Sequence, residues 1–72
     1  MSFQAYLNAV EAKTGKSVDA LSQLAEEKGF VLNGALQPET KAMQIVDWLK
    51  ADYDLGHGHA MSMVAWFKGK RD

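Results

Sequence analysis

Apolar residues recur at helical spacing in the first segment of the chain. Phe3, Leu7 and Val10 follow one another at i, i+4 and i+7, which is the spacing of one face of an α-helix. Ser2 is a suitable N-cap for this helix, and Gly15 is a suitable residue to end it. The pattern therefore predicts a first helix between Ser2 and Gly15.

A second helix is predicted between Ser17 and Gly29. Ser17 is a suitable N-cap, and Asp19 carries its negative charge in the first turn, where the helix dipole favours it. Lys28 lies in the last turn, and Gly29 fits the left-handed position after a helix. The apolar face of this helix consists of Val18, Leu21, Leu24 and Ala25.

Residues 30–37, FVLNGALQ, form the longest stretch without helical periodicity. Asn33-Gly34 is a strong turn signal, and a hairpin with a two-residue turn is one interpretation. However, the apolar runs on either side are short for strands. We therefore predict a packed loop, with Phe30 and Leu32 inserted into the core.

The third and fourth helices are predicted from Pro38 to Leu55 and from about His59 to Lys68. Pro38 suits the first position of a helix, with Glu39 in its first turn. Gly56 and Gly69 are expected to end the two helices. The segment AMSMVAWF in the fourth helix is apolar almost all round, which is typical of a helix that is central in its fold or covered by a partner. The third helix presents one apolar face, formed by Ala42, Ile45, Val46, Leu49 and Tyr53.

These elements predict an all-α fold, a compact bundle of four short helices. With 72 residues, the chain has room for a single domain, residues 1–72. The predicted core consists of Phe3, Leu7, Val10, Leu21, Leu24, Ile45, Val46, Leu49, Val64 and Phe67.

Composition narrows the classes of function. Hydrophobic residues make up 47% of the chain, there is no cysteine, and the net charge is −1. Thiol chemistry and disulfides are therefore excluded, and the charge gives no general attraction to nucleic acid or anionic lipid. The opening MSFQAYLN is unlike a signal peptide, and the apolar-rich residues 60–67 are far fewer than the ~20 that span a bilayer. We expect a cytoplasmic protein without membrane association.

TGKS, residues 14–17, imitates the end of a phosphate-binding loop. That loop requires an earlier glycine where this chain has Val10, and a strand where a helix is predicted here. A glycine that ends one helix and a serine that caps the next explain the same residues. Thr14 and Lys16 are retained as candidate ligand-binding residues.

LGHGHA, residues 55–60, contains both histidines of the chain. Two histidines at this spacing satisfy no recognised metal motif, so we predict no metal site. A glycine-rich turn that enters a helix can bind phosphate through its amides, and this is the basis of an alternative hypothesis of nucleic-acid binding. Gly56, His57, Gly58 and His59 are the candidate ligand-binding residues.

The favoured interpretation of LGHGHA is structural. The two glycines would adopt positive φ and form a sharp corner between the third and fourth helices. Asp52 and Asp54 lie just upstream, where they would repel a phosphate. The basic cluster KGKR, residues 68–71, lies at the opposite end of the fourth helix. Nucleic acid is therefore disfavoured as a partner.

Trp48 and Trp66 are candidates for an interaction surface. Trp48 lies at the edge of an apolar stripe, and Trp66 lies near the end of the fourth helix. Core packing is the simpler interpretation, but tryptophan is enriched where proteins bind partners. No set of side chains for catalysis can be assembled, so we predict neither an enzyme nor a cofactor.

The segments SFQAYLNAVEAKTGKS, LAEEKGF, IVDWLKADYDLGHGHAM and FKGK together resemble a family of small bacterial domains of unknown function, about 70 residues long. EAKTGKS and LGHGHAM are the specific parts of this resemblance. FVLNGALQP departs from it, because a more polar, lysine-rich run is expected there. The resemblance implies a small cytoplasmic bacterial domain and implies no activity.

The sequence thus predicts an uncharacterised helical domain that binds a protein partner or a small ligand. A homodimer or a docked partner would use the fourth helix and Trp66, since their apolar surface exceeds what a small core needs. Nucleic-acid binding through the start of the fourth helix remains the alternative.

Overall fold

A computed structural model describes residues 2–71 and contains four helices and one short hairpin. In chain order these elements are α1 (Phe3–Thr14), α2 (Val18–Glu27), β1 (Val31–Leu32), β2 (Ala35–Leu36), α3 (Ala42–Tyr53) and α4 (His57–Phe67). The fold is mostly helical, as the sequence predicted, but the hairpin between α2 and α3 makes it not purely α-helical.

The hairpin replaces the packed loop predicted for residues 30–37. Val31 pairs with Leu36 and Leu32 pairs with Ala35 in antiparallel register. Asn33 and Gly34 both have positive φ, 54° and 80°, which is the combination that a two-residue type I′ turn requires. Asn33-Gly34 therefore forms the turn of a β-hairpin, although each strand has only two residues.

Strand alternation decides which hairpin residues reach the core. Val31 is buried, whereas Leu32 is 53% exposed, because successive side chains on a strand point to opposite faces. The prediction that Leu32 inserts into the core is therefore wrong. Phe30, just before the strand, packs against the core as predicted.

Local capping chemistry sets the start of α1 and both ends of α2. The hydroxyls of Ser2 and Ser17 accept hydrogen bonds from the third residue of α1 and α2. At the end of α2, Gly29 N–H donates to Glu26 O and Phe30 N–H donates to Ala25 O. This is the paired pattern of a Schellman motif, and its glycine is left-handed.

Helix α3 begins four residues later than the sequence predicted. Thr40 N–H donates to Gln37 O at 3.1 Å, so Pro38 lies inside a turn and not at the first helical position. The helix then begins at Ala42, where Gln44 Oε1 accepts from Lys41 N–H at 2.7 Å. Proline fits both places because its fixed φ suits a turn as well as a helix start.

Helix α4 is central, which explains why it is apolar on all sides. It packs against α1, α3 and β2, and the hydroxyl of its one buried polar residue, Ser62, donates to His59 O. The chain itself therefore covers most of the apolar surface of α4, although Trp66 is only partly buried. The other buried residues of α4 are Ala60, Met63, Val64 and Phe67.

The core agrees with most of the residues predicted for it. Phe3 and Leu24 are partly buried and pack against it, and the other eight predicted residues are buried. The prediction did not include seven further buried residues: Val18, Ala25, Val31, Trp48, Leu55, Ala60 and Met63.

Candidate functional site

The segment EAKTGKS forms the junction between α1 and α2. Gly15 is left-handed, with φ of 72°, and ends α1. The Thr14 hydroxyl donates to Val10 O at 2.9 Å and accepts from Lys16 N–H at 3.2 Å. Glu11 completes the junction, because its Oε2 accepts from Val18 N–H at 2.8 Å. Glu11, Thr14, Gly15 and Ser17 thus have structural roles in this junction, whereas the side chain of Lys16 is exposed.

The carboxylate of Glu11 bears directly on the phosphate hypothesis for TGKS. It lies at the N-terminus of α2, where a phosphate would have to bind to use the amides of the first turn. The Ser17 hydroxyl accepts a hydrogen bond from Ala20 N–H at the same end of the helix. A side-chain anion and a hydroxyl therefore already cap the N-terminus of α2, and the segment is a helix junction.

The segment LGHGHA forms the junction between α3 and α4, but its glycines do not act as predicted. Asp54 is the left-handed residue, with φ of 55°, and it ends α3. Gly56 is the extended N-cap of α4, and Gly58 lies within its first turn. Neither glycine has positive φ. The prediction of a corner made by left-handed glycines is therefore wrong, and the helix begins at His57, two residues earlier than expected.

The two histidines have different surroundings. His57 is exposed, whereas His59 is half-buried and its ring meets that of Tyr6 edge-on, with 5.3 Å between the ring centroids. The N-cap of α4 makes no side-chain hydrogen bond, so this N-terminus lacks the kind of cap that closes α2. The nearest charged residues in the sequence, Asp52 and Asp54, are acidic and would repel an anion bound at this N-terminus.

The two junctions lie in different parts of the structure. His59 contacts Tyr6, and Thr14 lies eight residues farther along α1, about 12 Å at the rise of an α-helix. Ser17 lies near Trp66, in the last turn of α4, rather than near its first turn. Thr14 and Lys16 thus belong to one junction and residues 56–59 to the other.

The two tryptophans also differ. Trp48 is 7% exposed and packs between Phe30 and Tyr53, with ring-centroid distances of 6.0 and 6.3 Å. Its ring is part of the core and offers little surface to a partner. Trp66 is half-buried, and the guanidinium carbon of Arg71 lies 3.6 Å from the centroid of its ring.

Trp66 forms part of a cleft of about 220 Å³ where α1, the start of α2 and the end of α4 meet. We call it the Trp66 cleft. Two of its lining residues, Glu11 and Asp19, are acidic, and none is basic. The full set of lining residues is Gln4, Leu7, Glu11, Ser17, Val18, Asp19 and Trp66. Of these seven residues, the sequence indicated only Trp66 as a candidate for binding. The other six lie on α1 and at the start of α2, and the sequence does not show that these helices pack beside the end of α4.

Residues 2–71 present neither a clustered metal-ligand set nor a helix suited to a membrane. No group of three or more His, Asp or Glu side chains is placed to hold a metal ion there. Nor does any helix in that range have the length and apolar character needed to cross a bilayer.

The fold defines a small, mostly helical domain with a hairpin between its second and third helices. The family model for a domain of unknown function, DUF4287, matches residues 2–69. The chain therefore belongs to this family. Comparisons with curated proteins and with solved structures gave no match.

The structure predicts opposite effects for alanine at Gly58 and Gly15. Gly58→Ala should raise the free energy of unfolding by about 0.5 kcal/mol, because Gly58 is helical and costs backbone entropy there. The added Cβ would meet Tyr6 Cε1 at 3.9 Å, an ordinary contact. Gly15→Ala should lower the free energy of unfolding by about 1–2 kcal/mol, because Gly15 has a left-handed backbone conformation that alanine adopts only with strain. Urea denaturation followed by circular dichroism measures both. A loss of stability in Gly58→Ala would contradict this assignment.

Proposed function

We propose that this domain is a protein-interaction module that binds a basic segment of a partner in the Trp66 cleft. The observation that supports it is the composition of the cleft, in which one aromatic ring and two carboxylates surround apolar side chains. A bacterial, cytoplasmic setting belongs to the same proposal and rests on the sequence resemblance alone.

The cleft offers separate surfaces for the two parts of a lysine or arginine side chain. Leu7 and Val18 are buried core residues that also line the cleft, so they give it apolar walls. The aliphatic stem of a basic side chain packs well on such walls while its charged end stays near water. Asp19 is exposed and Glu11 is half-buried, and both acidic residues line the cleft.

Trp66 adds a second attraction for a cation. Indole is the strongest of the aromatic rings in attracting a cation placed over its face. The chain already uses this property, because the Arg71 guanidinium stacks on Trp66 and its Nη1 donates to Trp66 O at 2.9 Å. This contact shows that the Trp66 ring can bind a guanidinium group. Arg71 itself does not line the cleft.

A peptide titration tests the proposal. A blocked hexapeptide that contains arginine and lysine should shift the NMR signal of the Trp66 indole N–H in a saturable way. We expect a dissociation constant on the order of 1 mM, since one cation–π contact and two exposed charges contribute little each. The same peptide with glutamine in place of both basic residues should leave the signal unchanged. Binding should weaken as salt is added.

Asp19→Asn should weaken peptide binding several-fold, because it removes one of the two carboxylates that line the cleft. Asp47→Asn is the matched control: Asp47 is also exposed, lies on α3 and does not line the cleft. Equal affinity for the basic and the glutamine peptide, or equal loss of binding in both variants, would contradict the proposed function.

A further inference from the structure

The tip of the hairpin brings together an asparagine side chain and an unhindered backbone amide. Asn33 and Gly34 are both exposed. Among residues 2–71, the Asn33 side chain makes no hydrogen bond, and Gly34 N–H donates to no backbone oxygen. Because glycine has no Cβ, its amide nitrogen is the least hindered that a preceding asparagine can meet. Neither group is therefore held back by a partner, and asparagine is among the thermolabile residues.

We infer that Asn33 is a site of spontaneous deamidation, a reaction in which water is the only other reactant. Gly34 N attacks Asn33 Cγ and forms an N–Cγ bond, while the Cγ–Nδ2 bond breaks and ammonia leaves with the proton of Gly34 N–H. Water then hydrolyses the resulting five-membered imide. Cleavage at Cγ gives aspartate, whereas cleavage at the main-chain carbonyl gives isoaspartate, whose backbone runs through Cβ and Cγ. No atom is oxidised or reduced.

The hairpin controls the rate of this reaction. A type I′ turn holds its first central residue at ψ of roughly 30°, which places Asn33 Cβ and Gly34 N on opposite sides of the Cα–C bond. The imide requires both on the same side, so the turn has to open first. A hairpin alone is marginally stable, and this one has strands of only two residues. Exposed loops of this kind open locally far more often than the whole chain unfolds.

The two products have different effects on the hairpin. Aspartate tolerates the positive φ of the turn, so it keeps the pairing of Val31 with Leu36. Isoaspartate adds one backbone carbon to a turn of two residues, and the register of a hairpin depends on the length of its loop. Val31 is 1% exposed, and its strand packs against α2. Formation of isoaspartate therefore loosens the contact between the hairpin and the core.

Incubation of the full chain tests the inference. The wild type is kept in mildly alkaline buffer beside the blocked peptide VLNGAL until the peptide is fully converted. Peptide mapping by mass spectrometry should then show an amide-to-acid exchange at Asn33, with both products separated by chromatography. The chain unfolded in urea should react several-fold faster than the folded chain. Asn8 is the internal control, because Ala9 follows it within α1 and its Oδ1 accepts from Gln4 Nε2 at 3.0 Å.

Asn33→Gly is the matched variant, since Gly-Gly also favours a type I′ turn and cannot deamidate. After incubation, the isoaspartate fraction of the wild type should have a lower urea midpoint than fresh protein, whereas Asn33→Gly should keep its midpoint. Fresh Asn33→Asp reproduces the aspartate product and should unfold close to the fresh wild type. An unmodified Asn33 in the folded chain, equal modification of Asn8, equal rates in folded and unfolded chains, or an isoaspartate fraction as stable as fresh protein would overturn the inference.

Discussion

Leu49→Ala is expected to lower the free energy of unfolding by about 2–5 kcal/mol, because it removes buried methyl groups and leaves a cavity. Leu49 is 0% exposed and lies on α3, which packs against the central helix α4. A core this small rarely supplies more than about 3–5 kcal/mol. The variant should therefore be largely unfolded at 25 °C.

Urea denaturation followed by far-ultraviolet circular dichroism measures this effect. Lys50→Ala is the control, since Lys50 is the next residue on the same helix and is exposed. Its stability should stay within about 0.5 kcal/mol of the wild type. An unchanged midpoint for Leu49→Ala would show that the core has been placed incorrectly.

Glu11→Ala is expected to lower the free energy of unfolding by about 1–2 kcal/mol. The substitution removes the carboxylate that accepts from Val18 N–H, and hydrogen bonds to charged groups are stronger than neutral ones. It also removes a negative charge from the N-terminus of α2, where the helix dipole favours one. Because Glu11 is only half-buried, the lower part of the usual range applies.

Hydrogen exchange gives a second measurement of the same change. The Val18 amide should exchange faster in Glu11→Ala, and Glu11→Gln should lie between the two, since its amide oxygen can accept but carries no charge. Glu27→Ala is the control, because Glu27 is exposed and lies at the C-terminal end of α2. A loss of stability in the control as large as that in Glu11→Ala would rule out the specific capping role.

The sequence predicted best the features that depend on neighbouring residues. Ser2, Ser17, Gly15 and Gly69 cap or end helices as expected, because a hydroxyl or a glycine acts within a few residues of its own position. The apolar faces of the helices were also predicted, since burial follows from their periodicity. In contrast, strands of two residues are too short to show alternation, so the hairpin around Asn33-Gly34 was interpreted as a loop.

The candidate site was less predictable, because it depends on which helices meet. Trp48 and Trp66 looked alike in the sequence, yet one lies in the core and the other lines a cleft. Glu11 caps a helix that begins seven residues later in the sequence, across a helix junction. Asp54 adopts the left-handed conformation at the end of α3, although Gly56 and Gly58 nearby could adopt it at lower cost. No local pattern distinguishes these outcomes, since tertiary packing decides them.

The contact between Lys70 and Phe3 brings the beginning of α1 and the segment after α4 together. These two parts of the chain can therefore be joined by a short flexible linker without moving any helix. Opening the chain between Asn33 and Gly34, an exposed turn, would then give a circular permutant in which β2 comes first and β1 last. New ends are best tolerated at such turns. In that permutant, α4 and α1, which already pack against each other, become consecutive helices.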